Sequence, residues 1–177
     1  MDTDTIAWLP VPVEYTQNMR WTPLLQMSYH HAWGKSDDPR TKNGSVFVQR
    51  HNRFRGANRL PEGIDRAVLD IPEEKYKHII HAEVDGIQQA IDAGVDVEGG
   101  ILVCHWYACK GCAEFIADHR LSQCVGHIDP YHRTVQKWQD EIIAGFDILH
   151  KAGVKTTIYT GRVGGVQAMI RGDVWRP

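Results

Sequence analysis

The chain has 177 residues, 42% of them hydrophobic and 24% charged, with a net charge of −2 when histidine is counted neutral. That size and balance suit one globular domain around a single core, and they exclude wholesale binding to a nucleic-acid backbone, which needs a basic excess. No apolar run approaches the roughly 20 residues of a membrane span.

Residues 1–20 read as an N-terminal arm. Met1, Asp2, Thr3 and Asp4 offer neither the basic start nor the apolar block of an export signal. A cytoplasmic location is therefore expected, with reduced cysteines. Pro10 and Pro12 forbid a helix interior there, and the apolar residues from Trp8 to Val13 are expected to pack on the body or on another subunit. The main domain covers 21–160. A helix is expected over 22–33, with Pro23 in its first turn. Ser36, Asp37, Asp38 and Pro39 make a loop. Strands over 45–49 and 54–57, around a turn at His51 and Asn52, form a hairpin. Residues 58–65 are again loop, and Pro72, Glu73 and Glu74 open a short turn that leads through 76–80 into His81.

Residues 82–93 have a helical pattern, with Val84, Ile87 and Ile91 on one side and Gly94 as terminator. The nearly continuous apolar run 101–107 reads as a strand covered on both faces. A helix over 109–118, a strand over 123–128, a long helix over 134–151 and a strand over 155–159 follow. The long helix carries Val135, Trp138, Ile142, Phe146 and Leu149 as one stripe, ended by Gly153. Residues 161–177 form a C-terminal extension, with room for a strand near 166–170. The order β-β-α-β-α-β-α-β predicts a three-layer α/β/α fold with a central mixed five-stranded sheet. Cys104 and Cys124, both in apolar runs, are expected to be buried thiols and not a disulfide.

Two short motifs carry chemistry. His81-Ala82-Glu83 supplies an imidazole and a carboxylate two residues on, and Cys109-Lys110-Gly111-Cys112 supplies two thiols. His81, Cys109 and Cys112 make three zinc ligands and leave a fourth tetrahedral position for water, as catalytic zinc sites do. Glu83 is then the candidate catalytic residue, a proton shuttle beside the metal. His81 and Cys109 each fall at an expected helix N-terminus, where partial positive charge favours thiolate. Either motif alone is weak: a lone Cys-x-x-Cys fits a redox pair or half of a structural zinc site. Together, H-x-E followed by C-x-x-C is the mark of zinc-dependent nucleobase deaminases.

The sequence resembles the deoxycytidylate (dCMP) deaminase family within the cytidine-deaminase-like zinc-dependent superfamily. The resemblance runs over residues 22–160 on five segments: Asp38-Pro39-Arg40-Thr41-Lys42-Asn43-Gly44, Ala57-Asn58-Arg59-Leu60-Pro61-Glu62-Gly63, the segment from His81 to Ile87, the segment from Tyr107 to Ala113, and Asp129-Pro130-Tyr131-His132. It implies the cytidine-deaminase-like fold, Zn2+ on His81, Cys109 and Cys112, and hydrolytic deamination of dCMP to dUMP. It also implies that Asn58 bonds the sugar, that Tyr131 gates the substrate, and that Arg40 binds the 5′-phosphate, with Arg59 and Lys42 as weaker candidates. A homo-oligomer, most often a hexamer, and regulation by dCTP (activating) and dTTP (inhibiting) come with it. Four places depart from the family pattern: Ala108 for Pro, Asp85-Gly86 for Asn-Ala, Ala57 for Tyr, and Asn43 for Val. They bear on substrate more than on reaction type, and leave open a C5-modified or other cytosine nucleotide and a non-catalytic nucleotide-binding module. The basic run from Arg50 to Arg55 has the composition of a single-strand binder, but it coincides with the hairpin in a slightly acidic chain, so nucleic acid is not the expected partner.

Overall fold

The computed structural model describes Leu9 and residues 11–177. Trp8 and Pro10, part of the proposed apolar contact surface, lie outside the described residues. The elements are β1 (Glu14–Thr16), α1 (Thr22–Lys35), β2 (Gly44–Gln49), β3 (Asn52–Ala57), α2 (Pro72–His78), α3 (Ala82–Asp92), β4 (Ile101–Cys104), α4 (Lys110–Asp118), β5 (Gln123–His127), α5 (Ile128–Arg133), α6 (Gln136–Lys151), β6 (Lys155–Tyr159), β7 (Ala168–Ile170) and β8 (Asp173–Trp175). Short 3-10 turns cover Met19–Trp21 and Arg66–Asp70.

Among the described residues the central sheet is mixed and has six strands, not the expected five, in the order β1-β6-β5-β4-β2-β3. The extra strand is β1, from the arm, which pairs in parallel with β6. Strands β4, β5 and β6 run parallel, whereas β2 and β3 form an antiparallel hairpin on the far edge. Strands β7 and β8 form a separate two-stranded hairpin, so the extension does not lengthen the sheet.

Alternation along the buried strands builds two cores. Val103, Val125 and Tyr159 face α1, where Trp21, Leu25 and Tyr29 cover them. Leu102, Cys104, Cys124 and Phe47 face the other way, against Ile87 of α3, Ala113 and Ile116 of α4 and Leu149 of α6. Leu102 and Val103 are fully buried, worth about 1.5–3 kcal/mol each. Cys104 and Cys124 are free, buried thiols, as expected. The apolar run beyond Cys104 leaves the sheet: His105 through Ala108 cross from the strand end to α4. Among the described residues, no helix is long and apolar enough to cross a membrane.

Three glycines let the layers approach at the places that matter. A Cβ on Gly56 of β3 would meet the Ala82 carbonyl at 2.0 Å, and one on Gly86 of α3 would meet Ser45 Oγ at 2.6 Å. Helix α3 therefore lies directly on the β2–β3 hairpin, fastened by Ser45 Oγ donating to the Ala82 carbonyl at 2.7 Å. Asp85 adds to this seam, accepting from the Ala57 N–H and from Gln89 Nε2, both at 3.0 Å. The Asp85-Gly86 pair that departs from the family pattern thus serves the packing of α3 on the hairpin. On the other side a Cβ on Gly145 of α6 would sit 2.5 Å from the Ala108 carbonyl, so α6 presses on the turn that presents Cys109.

Candidate active site

Helix α4 follows β4 directly, and α3 runs back against β4, so the N-termini of both helices meet at that strand's carboxyl end. This is where α/β sheets commonly bind ligands. His81 is the residue before α3 and Cys109 the residue before α4, both extended, and neither side chain caps its own helix. The side chains turn to each other instead. His81 Nδ1 lies 3.3 Å from Cys112 Sγ and 3.4 Å from Cys109 Sγ. The ligand atoms of all three residues fall within 4.8 Å of one another.

This donor set fits zinc. Bond lengths of about 2.0–2.3 Å in a tetrahedral site imply ligand–ligand edges of about 3.3–3.8 Å, and the two N···S separations fall in that range. The thiols are already unequal. A hydrogen bond from Cys112, with help from His81, brings Cys109 down to about 4 against the effect of burial. The same bond and burial hold Cys112 well above the ordinary thiol range. Both cysteines would hold zinc as thiolates, the form that ligates.

Glu83, in the first turn of α3, is 1% exposed. Burial pushes its carboxyl up to about 7, opposed by His81 and by a hydrogen bond from Asn43. Asn43 Nδ2 donates to both carboxylate oxygens, at 3.3 and 3.4 Å, and the Cys112 thiol reaches Oε2 at 3.7 Å. A carboxyl group that changes charge near neutrality, beside a metal triad, can both accept and return a proton.

These groups floor a pocket enclosing about 520 Å³ of atom-free space, part of it open to solvent. His81, Glu83, Cys109 and Asn58 line it, with Asn43, Thr41, Tyr107 and Ile142. Asn58 Oδ1 accepts the Ala82 N–H at 3.1 Å, so what Asn58 offers a ligand is its NH2 group. An aromatic wall stands over the imidazole: the Trp138 ring is 6.3 Å from His81, 5.3 Å from Tyr76 and 6.4 Å from Trp106. At the mouth, Lys75 Nζ pairs with Asp38 Oδ2 at 2.9 Å, both side chains nearly buried. The other Asp38 oxygen accepts the Arg40 and Thr41 N–H groups.

Arg40, Arg59 and Tyr131 stand outside the pocket walls. Arg40 is exposed, and its guanidinium donates to the Arg171 carbonyl at 3.3 Å. Arg59 is exposed on the bridge between residues 59 and 80. Lys42 turns away to donate to the Ser36 carbonyl at 2.9 Å. Tyr131 is 6% exposed and packs behind Tyr107, ring centroids 6.4 Å apart, its hydroxyl without a hydrogen-bond partner among the described residues. Lys75 and Tyr76 are not among the site residues the sequence points to, because Pro72, Glu73 and Glu74 read as the opening of a short turn. Pro72 at the start, Glu73 and Glu74 in the first turn and Lys75, Lys77 and His78 in the last are a helix signature that was present. Trp138 was visible only as one more member of an apolar stripe.

The profile of the cytidine and deoxycytidylate deaminase zinc-binding region matches residues 20–128, which include the whole metal triangle and Glu83. Among curated proteins, the sequence comparison finds no match. Among solved structures, the fold is similar to dCMP deaminase from the cyanophage S-TIM5 in complex with dCMP and dUMP: TM-score 0.63, 17% identity, 81% of this chain and 98% of that one. The same enzyme in apo form gives TM-score 0.57 at 18% identity, with 78% and 97% covered. A diaminohydroxyphosphoribosylaminopyrimidine deaminase/5-amino-6-(5-phosphoribosylamino)uracil reductase from Thermotoga maritima gives 0.53 at 15% identity, over 78% of this chain and 36% of that one.

Proposed function

This chain belongs to the cytidine and deoxycytidylate deaminase family, as a zinc-dependent hydrolytic deaminase, and we propose that its reaction is the conversion of dCMP to dUMP with release of ammonia. The observation that carries the chemistry is the buried Glu83 carboxyl group on the pocket floor, beside three zinc-ligand atoms within 4.8 Å of one another. The choice of dCMP is supported by the likeness to a deaminase solved with dCMP and dUMP, and by Lys75 in the pocket wall, which would have to share its contact with Asp38 to meet a phosphate.

His81, Cys109 and Cys112 would hold the zinc, which when bound lowers the pKa of a water molecule toward neutrality. Glu83 takes a proton from the attacking water and gives it to the ring nitrogen N3. It then passes the second water proton to the departing amine, so that C4–N breaks, C4=O forms and ammonia leaves. Trp138, Tyr76 and Trp106 shield the ring from bulk water, and the NH2 group of Asn58 bonds the sugar. The phosphate lies toward Lys75 and the loop of Asp38 and Arg40. Here Arg40 would have to exchange its contact with Arg171 for the phosphate. Arg59 and Tyr131 enter the proposal only as supports of the pocket walls.

The reading includes a homo-oligomer, a hexamer by family resemblance, and dCTP and dTTP as effectors. Native mass measurement and assays with each effector test those parts. For the reaction itself, zinc content and ammonia release are measured with dCMP, CMP, dCTP, a C5-modified dCMP and cytidine. Turnover of dCMP ahead of the rest is expected. A zinc-loaded protein inert on all of them would sink the enzyme reading, and preference for the C5-modified nucleotide would replace the substrate.

A further inference from the structure

We propose that Asn43 is a positioning residue for Glu83, its carboxamide holding the proton-carrying carboxylate against the metal triangle while Ser28 and His105 clamp Asn43 from behind the sheet. The proposal rests on the deaminase reading above. Asn43 is 6% exposed. Its Oδ1 accepts the Gly44 N–H at 3.0 Å, which fixes the orientation of the amide and turns the NH2 group toward Glu83. That NH2 group spans both carboxylate oxygens, at 3.3 and 3.4 Å.

Among the described residues, the side chains that donate to Glu83 are Asn43 and Cys112. A cysteine bound to zinc has lost its S–H. Asn43 is then the side-chain donor that remains, on a glutamate with three rotatable side-chain bonds.

The backbone around Asn43 is tied at three successive carbonyls. The Lys42 carbonyl accepts from His105 Nε2 at 2.8 Å. The Asn43 carbonyl accepts from the Asn58 N–H at 3.2 Å. The Gly44 carbonyl accepts from Ser28 Oγ at 2.7 Å and from the His105 N–H at 3.4 Å. His105 Nδ1 is then an acceptor 2.8 Å from Ser28 Oγ, whose one proton is shared between it and the Gly44 carbonyl, and the ring stacks on Tyr29 with centroids 4.0 Å apart. There is no slack at Gly44 either, where a Cβ would lie 2.5 Å from the Ser28 carbonyl. Helix α1 and the end of β4, on the face opposite the pocket, therefore fix the rotamer of a group inside it.

The test uses zinc-loaded wild type and Asn43→Val, which removes the donor at similar volume. With the substrate that wild type turns over, kcat should fall about 10–100-fold, the size of effect that small misplacement of a catalytic group produces. KM should stay within about threefold, with zinc content unchanged. An unchanged kcat, or losses of zinc and kcat together, would overturn the proposal. Crystal structures of the two zinc-loaded proteins give an arm that needs no substrate. Glu83 shifted or in several conformers in Asn43→Val supports the proposal, and a superposable Glu83 sinks it. Wild type inert on every cytosine nucleotide would instead remove the deaminase reading, and the crystallographic arm alone would then decide on Asn43.

Discussion

On the floor of the pocket, His81, Glu83 and Cys109, with Cys112 buried behind them, come from the starts of two helices that meet at one strand end. At its mouth, Lys75 and Tyr76 come from a short helix, Asp38 from a loop, and Trp138 from the first turn of a long helix. The floor is made of two short motifs, each with its residues two or three positions apart, that the fold joins across 28–31 positions, so each half of its chemistry is local. The mouth is made of residues 37 positions apart, as in the Lys75–Asp38 pair, so its chemistry exists only once the chain is folded. Reaction type is written in the first region and substrate in the second.

Breaking the floor should produce the largest effect. Glu83→Gln should retain zinc and lower kcat by about 10²–10⁴-fold, the range for a general acid–base group. Metal analysis and ammonia release check this together. A kcat within threefold of wild type would move the proton shuttle elsewhere.

At the mouth, Lys75→Ala should raise KM for dCMP about 10–100-fold, the worth of a charge-assisted hydrogen bond, and leave turnover of deoxycytidine nearly unchanged. Equal losses on nucleotide and nucleoside would show that Lys75 only glues α2 to the Asp38 loop. Lys75→Arg, which keeps the pair with Asp38, should recover most of the stability.

Outside the pocket, the seam between α3 and the β2–β3 hairpin sets α3 in place. Gly56→Ala puts a methyl against the backbone of Ala82 and Gly86, which cannot yield as a side-chain tip could. About 3 kcal/mol of stability should be lost, seen as a lowered Tm. A Tm within 1 °C of wild type, on the order of the noise expected from ordinary surface changes, would mean that α3 can ride up without cost.

The smallest effect concerns pH. Burial lowers His127 to about 4 from its ordinary 6.5. Between those values the unfolded chain binds a proton that the folded chain refuses. This contribution is therefore intact above pH 6.5 and is lost as pH falls toward 4. His127→Gln should reduce the acid sensitivity of stability by about 2 kcal/mol between pH 6.5 and 5. Parallel stability–pH curves for the two proteins would contradict a neutral, buried His127.

The contrast between floor and mouth also explains what the sequence disclosed. Val103 and Leu102 advertise a strand buried on both faces, and Gly94 and Gly153 end the helices where the periodicity stops. Strand β1 left no such trace: Thr157 meets Glu14 across 143 positions, and three residues after two prolines carry no strand pattern of their own. The apolar run from Ile101 continued through Tyr107, so nothing in it marked Cys104 as the last strand residue. Helix α5, six residues with Pro130 in its first turn, is too short to show a periodicity, and a proline there needs no N–H partner. Asn43 read as a departure from a family pattern; only the fold shows that it faces Glu83.

The most direct measurement is a crystal structure of the zinc-loaded Glu83→Gln protein with dCMP. The account predicts the pyrimidine over the metal triangle with its amino-bearing carbon facing the zinc, residue 83 within hydrogen-bond reach of N3, and the phosphate within reach of Lys75 Nζ. A nucleotide bound with its base outside the pocket, or with its phosphate directed away from Lys75, would contradict it.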